Sequence, residues 1–509
     1  MEDFNFEPGE NCWQVQRADR FSVIVDGADY FRLLRDVLTK ATRLIILIGW
    51  DFDFEIEMLP GESDEQGNAP DGLPNRIGPF LDVLVDRCSG LDIYLLKWSG
   101  GALIAPGRIL PAMQVKFLSP DQIHLAFDGR HPIGACHHQK LVCVDDSVAF
   151  CGGIDMTEGR WDTREHQSNH PERVARNGEA LQPWHDVTTI MTGPAAAKIS
   201  ELCRDRWKRA NDTDMDEDFQ PGQDLWPDGL DADFLNVDVA IARTEPPEAD
   251  RPITAEIERL FRDSIAAAQD YVYIESQYFA SDSITEAVLG RLQDPDGPEF
   301  LVINPEGAQS EIEDKAMHVI RGRMMRRLQA ADPHGRFRIF YPVNSAGEPI
   351  YIHAKVTIID DRLLRVGSAN LDRRSMGFDT ESDVAILVEN AEDRRRVRAI
   401  RDDLLAEHLG CSTQELAQAL ERTGSLAATI DALNRPAQGG GIYPVQPREE
   451  GLVERFLADT RFFDPRYRHS AQARLGLTSR HLLLGGAVIA AGMFLWARHR
   501  RQRRDTTER

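Results

Sequence analysis

MEDFNFEPGENCW, at the start of the sequence, carries neither a basic stretch nor an apolar run, so no signal peptide is read and the large domain is expected to stay in the cytoplasm. Long hydrophobic runs are nearly absent, and an apolar fraction of 42% is that of an ordinary globular chain. Disordered and multi-span membrane classes are thereby excluded. Cysteine is scarce. Its seven copies, Cys12, Cys88, Cys136, Cys143, Cys151, Cys203 and Cys411, are odd in number and show neither zinc spacing nor a dense disulfide framework, so they read as small buried hydrophobes in a reducing compartment. Positive charge is also short. With 59 basic against 83 acidic side chains the net charge is −24, and nucleic acid is not an expected partner. Lys and Arg vanish from Asn211 to Ala242, where ten acidic residues occur. That stretch reads as a solvated linker or surface loop. Its DTDMDED run lacks the glycine that turns an EF-hand loop.

What is present is a duplication. Length alone, 509 residues, suggests two to four domains of ordinary size, or two large ones. Apolar runs that read as buried strands open each half, Leu44 to Trp50 and Tyr271 to Phe279, and second strands follow at Leu91 to Trp98 and Glu299 to Asn304. The segments HHQKLVCVDDSVAFCGGID (His137 to Asp155) and IHAKVTIIDDRLLRVGSAN (Ile352 to Asn370) are the most alike. Further strands follow at Val187 to Met191 and Val384 to Val388. Strands alternating with helical stretches such as Ile253 to Asp270 predict an α/β unit, repeated. The predicted organisation is a first lobe at 1–210, an acidic linker or loop at 211–250, a second lobe at 251–410, a polar extension at 411–470 with a break at Pro436 to Gly441 within it, and a basic tail at 471–509.

Charge is unevenly divided. The tail from Arg474 carries eight arginines and a net +6, leaving −30 on the body. Within it, Leu482 to Ala497 holds sixteen uncharged residues. At about 1.5 Å per residue a helix there is roughly 24 Å long, short of a hydrocarbon core of about 30 Å. Snorkelling by Arg480 and Arg498 closes that gap. A C-terminal apolar anchor helix is therefore expected, as a single span or an interfacial segment.

The repeat carries chemistry. His138, Lys140, Asp145 and Gly152 recur as His353, Lys355, Asp360 and Gly367, the pattern H-x-K-x4-D-x6-G twice over. In extended chain, residues two apart face the same way, so each His-Lys pair points into one site. Asp145 and Asp360 belong to the catalytic motif, yet their place between two apolar runs reads as a hairpin turn that positions strand ends. Ser368 and Asn370 are candidate substrate-binding side chains. Two imidazoles and two ammonium groups suit displacement at phosphorus. One neutral imidazole attacks a phosphodiester to form a phosphohistidine, the other protonates the leaving alcohol, and the lysines hold the equatorial oxygens. A carboxylate is expected behind each histidine to fix its tautomer. Asp186 is the candidate in the first half, with Glu381 and Asp383 competing in the second. No cluster reads as a catalytic metal site, so neither metal nor cofactor is expected in the reaction.

With its duplicated H-x-K-x4-D motif the chain resembles the phospholipase D superfamily, and the eukaryotic-type phospholipases D in particular. The resemblance runs from about Val23 to Leu405 and includes GGIDMTEGRWD (Gly152 to Asp162), PWHDV (Pro183 to Val187), YIESQYF (Tyr273 to Phe279) and YIHAK through GSANLDRRS (Tyr351 to Ser375). It implies two similar α/β lobes with one active site at their interface, in a monomeric catalytic unit. The implied reaction is cleavage of phospholipids to phosphatidic acid and a free head group, with transfer to an alcohol as a variant. His138 then corresponds to the nucleophile and His353 to the acid/base, with Lys140, Lys355 and Asn370 on phosphate. GGID in the first copy against GSAN in the second puts equal roles for the halves in doubt. The stretch before Val23 is too short for the lipid-binding domains of many eukaryotic members, so membrane contact is expected through the tail. The rival readings are a cardiolipin-synthase-like phosphatidyl transferase and, less favoured by the acidic surface, a nuclease of the same fold.

Overall fold

In the computed structural model, residues 4–466 are described apart from 101–119, 216–217, 249–250, 436–438, 449 and 462. The apolar segment at 482–497 and the basic tail around it lie outside the described residues. Among those described, no helix is long and apolar enough to cross a membrane.

The fold is mixed α/β, and both halves contribute to one continuous sheet. At its centre Gln14–Val25 pairs antiparallel with Phe234–Glu245. Outward from Gln14–Val25 lie Val187–Thr192, Val148–Gly152, Leu141–Val144, Leu44–Gly49, Asp92–Trp98 and Ile123–Asp128. Outward from Phe234–Glu245, in the matching order, lie Glu381–Leu387, Leu363–Gly367, Val356–Ile359, Tyr271–Glu275, Glu299–Ile303 and Phe337–Val343. The last three strands on each side run parallel and the others antiparallel. The repeat read from the motif thus extends to the whole strand order.

The sequence forms this sheet because its strands are apolar on both faces. Ile45 and Leu47 enter one core with the helices Gly27–Thr39 and Ile77–Arg87, while Leu44, Ile46 and Ile48 enter another with the helix Pro194–Asn211. That second core runs unbroken into the other half through Tyr273, Val356, Ile358 and Val366. Helices on both faces leave no polar side for these strands to show, hence continuous apolar runs rather than alternation.

Two segments differ from the sequence reading. Of the stretch 211–250 expected to be linker or loop, residues 234–245 form a central strand, and each half opens with such a strand before the apolar run that marks it in sequence. Polar residues alternate along part of both, as in Asn236 and Asp238, which masks their strand character. The polar extension beyond residue 411 is folded onto the body. Its helices Thr413–Thr423 and Leu426–Leu433 bury Leu416 and Ile430, and Gly441–Pro444 adds an edge strand beside Phe337–Val343.

Candidate active site

Each H-x-K segment is an extended lead-in to a buried strand, and each is fixed by the other half. His137 bridges to Thr380, and the backbone N–H of His138 donates to the Thr380 carbonyl at 3.0 Å. In the second copy Tyr351–Ile352 pairs with Trp184–His185, and the N–H of His353 donates to the His185 carbonyl at 2.8 Å. The residue after each of these partners is a carboxylate, so the bridges determine which carboxylate meets which imidazole.

The result is a crossing. His138 Nδ1 lies 2.9 Å from an oxygen of Glu381, and His353 Nδ1 lies 2.6 Å from Asp186 Oδ2. The expectation that Asp186 serves the first histidine is thus corrected: each histidine takes its carboxylate from the opposite half. Asp383, the competitor of Glu381, is occupied elsewhere. It pairs with the buried Arg365 and accepts the N–H groups of Ser368 and Ala369. Register explains the choice. Gly367 pairs with Asp383 and Gly152 with Thr188, so Glu381 and Asp186 occupy equivalent positions two residues earlier.

Glu381 is held by hydroxyl groups. Ser368 Oγ and Ser375 Oγ each donate to it at 2.6 Å, so Ser368 is engaged with the carboxylate. In the first copy Gly153 stands where Ser368 does, and a Cβ there would lie 2.1 Å from Asp186 Oδ1. The GG-to-GS difference is therefore steric, making room for the carboxylate that reaches across.

The two lysines are unequal. Lys140 forms a buried ion pair with Asp155 at 3.1 Å. At the position of Asp155 the second copy has Asn370, and the Lys355 ammonium donates to the His353 carbonyl as that of Lys140 does to the His138 carbonyl. Asn370 donates to Gln277 at 3.4 Å, and its buried Oδ1 makes no hydrogen bond. Burial pulls Lys355 down to about 7, with Lys140 adding repulsion and Asp186 opposing the shift. Burial and then the two lysines hold His138 well below the usual imidazole value, and burial with Lys355, Arg160 and Lys140 does the same to His353. Both imidazoles are therefore neutral at rest. Burial pushes Glu381 up to about 8 against its hydroxyl donors.

Asp145 and Asp360 sit away from this chemistry. Both have left-handed φ, 47° and 55°, in the turns between paired strands. The Asp145 carboxylate accepts the N–H groups of Thr42, Arg43 and Leu44, and that of Asp360 accepts those of Gln269, Asp270 and Tyr271. Of the two readings of these aspartates the structure gives the turn, where each ties a hairpin to the start of the neighbouring strand. His137, next to His138, points the other way, to Asp128 at 3.2 Å. Other residues had no assigned role in sequence. Trp184 stacks on Tyr351 at 4.7 Å and lies 5.0 Å from the His353 ring, while Arg160 covers Trp184 at 4.1 Å. The blocks GGIDMTEGRWD, PWHDV, YIESQYF and GSANLDRRS contain Arg160, Trp184, Gln277 and Ser375, so clustering of these blocks was the available signal.

Two family models match parts of the chain. The Phospholipase D family model matches residues 130–226, and a model described as Cardiolipin synthase, PLD-like domain, matches residues 261–402. Phospholipase D alpha 1 of Nicotiana tabacum is 24% identical over 74% of this chain and 63% of its own length. For phospholipase D alpha 1 of Arabidopsis thaliana the identity is also 24%, over 80% of this chain and 64% of the relative. The chain thus spans 63–64% of the length of these two plant relatives. A crystal structure of phosphatidylserine synthase from Haemophilus influenzae Rd KW20 superposes with a TM-score of 0.53 at 12% identity, covering 82% of this chain and 96% of that one. That likeness is one of fold.

Proposed function

Since the chain belongs to the phospholipase D superfamily, we propose that it cleaves the bond between phosphate and head group in phospholipids through a phosphohistidine. The observation that carries this reading is the pair of neutral imidazoles, each sharing a proton at Nδ1 with a carboxyl group of the opposite half, which leaves Nε2 as the reactive nitrogen of both when that proton sits on Nδ1. His138 Nε2 attacks phosphorus. The P–O bond to the head group breaks, and its oxygen takes a proton from His353, which is protonated in the substrate complex as the phosphate anion enters. His353 then removes a proton from water as the water oxygen displaces His138, giving phosphatidic acid and restoring both rings. Lys355 and Asn370 bind the phosphate oxygens whose charge develops in the in-line transition state, and the substrate anion supplies the counter-charge that Asp155 supplies to Lys140.

A second reading differs only in the acceptor. An alcohol in place of water yields a new phosphodiester from the same intermediate, and the match of residues 261–402 to a cardiolipin-synthase domain favours keeping this phosphatidyl transfer beside hydrolysis. Work at a cytoplasmic membrane face belongs to the proposal. The helix Leu452–Thr460 leaves Leu452 86% and Phe456 66% exposed, shortly before the basic tail. Incubating the protein with a panel of phospholipids, with and without glycerol, and identifying products by mass spectrometry tests both readings. Release of phosphatidic acid, or of phosphatidylglycerol when glycerol is present, is expected from wild type and reduced by about 10²–10⁴-fold in His138→Ala. Equal product from the two proteins would sink the mechanism.

A further inference from the structure

Behind the reaction centre lies a second constellation of buried titratable groups that the chemistry at phosphorus does not use. His185 Nδ1 stands 2.9 Å from Glu407 Oε1 and 3.2 Å from Asp26 Oδ1. His166 Nε2 stands 3.1 Å from the same Glu407 oxygen and 3.5 Å from Asp26 Oδ2. Ligand atoms of all four residues fall within 4.8 Å of one another. A tetrahedral ion with ligands at about 2.0–2.1 Å has ligand–ligand edges of about 3.3 Å, the range these pairs already occupy. His185 is fully buried and Asp26 is 1% exposed, and Asp26 Oδ2 makes no hydrogen bond among the described residues.

The outer contacts fit the same reading. His185 turns its other nitrogen to Glu275 at 2.9 Å, and His166 turns its own to Asp162 at 2.9 Å. A carboxylate behind each imidazole fixes the tautomer that offers a lone pair inward. Those carboxylates are themselves anchored: Asp162 by Arg173 and by the N–H of Trp184, Glu275 by His408 and Tyr273. With the imidazoles neutral, Asp26, Asp162, Glu275 and Glu407 outnumber Arg164 and Arg173, which leaves negative charge for a cation to offset.

We propose that Asp26, His166, His185 and Glu407 bind one divalent transition-metal ion, zinc-like in its preference for four nitrogen and oxygen ligands. The site is closed by four protein ligands and is structural. Three ligands come from the first half and Glu407 from the helix Ala391–Leu409 that closes the second, so the ion clamps the halves together. It also reaches the active site. Asp26 Oδ1 accepts the N–H of Asp186, and the N–H of Asp26 donates to the Asp186 carbonyl, which makes Asp26 a positioning residue for the partner of His353.

Elemental analysis of the full chain, purified without a metal-affinity step and passed through gel filtration after incubation with zinc, tests this directly. About one zinc per chain is expected, with a melting temperature that falls when a chelator strips the ion and recovers on adding zinc. Cobalt should give the intense visible bands of a four-coordinate site. His166→Ala should lose the ion, as should Glu407→Gln, which preserves volume should the first variant fail to fold. His138→Ala should retain it, so metal content is read independently of the proposed reaction. Wild type and His138→Ala that both hold no zinc and melt unchanged on its addition would overturn the proposal. Such a result would assign the cluster to protonated imidazoles paired with carboxylates.

Discussion

Lys355 and Lys140 occupy equivalent positions, and a single substitution elsewhere sets them apart. Asp155 pairs with Lys140, and the matching position in the second copy is Asn370. With burial lowering it to about 7, Lys355 in the free enzyme loses its proton as pH rises through 7, and affinity for a phosphodiester falls with the charge. An alkaline limb near pH 7 is therefore expected in kcat/KM but not in kcat, because bound phosphate returns the proton. Finding the same limb in kcat would assign it to another group. The acid side behaves oppositely. His138 is held well below the ordinary imidazole value, so it stays unprotonated and nucleophilic into mildly acidic solution. Gly153 is the other residue whose identity is dictated by a neighbour. In Gly153→Ala the new Cβ meets Asp186 Oδ1, and at least a tenfold loss of kcat is expected from the displaced His353 partner. Circular dichroism should show the fold retained.

Elements in this protein are tied at their ends by side chains as much as by pairing. The hairpin between Leu141–Val144 and Val148–Gly152 carries Asp145, whose carboxylate accepts three successive N–H groups where Leu44–Gly49 begins. Asp145→Ala leaves these donors without their acceptor, and a loss of about 3 kcal/mol in denaturant-measured stability is expected. Activity per folded molecule should change little; a loss of kcat with unaltered stability would return Asp145 to the chemistry. The third member of the H-x-K-x4-D pattern was legible as a turn residue from its place between two apolar runs. The central strands were less legible. Gln14–Val25 and Phe234–Glu245 carry exposed charges along part of their length, and an acidic neighbourhood hid the second of them. A helix end is equally consequential: Ala391–Leu409, capped by Asn390 and closed by Gly410 with φ 65°, is long enough to deliver Glu407 and His408 beneath the opposite half.

Across the whole molecule, one sheet and two crossed imidazole–carboxylate pairs make the halves interdependent. The crossing has a kinetic signature. On a p-nitrophenyl phosphodiester, whose leaving group needs no proton, Asp186→Asn should still form the phosphohistidine but hydrolyse it slowly, so the intermediate accumulates. Glu381→Gln should slow its formation instead. Quenched-flow trapping distinguishes the two, and the reverse assignment would mean uncrossed pairs. The sequence by itself determined the duplication, the α/β class and the His-Lys pairs, because these are written in local periodicity and in spacing that recurs. Strand alternation fixes what lies two residues apart whatever the rest of the chain does. Only the tertiary structure decided that Glu381 serves His138 and Asp186 serves His353, that Lys140 pairs with Asp155, and that Asp26, His166, His185 and Glu407 converge. Those relations join residues up to several hundred positions apart, through backbone bridges between halves and a shared core, and no local pattern encodes which partner such a bridge selects.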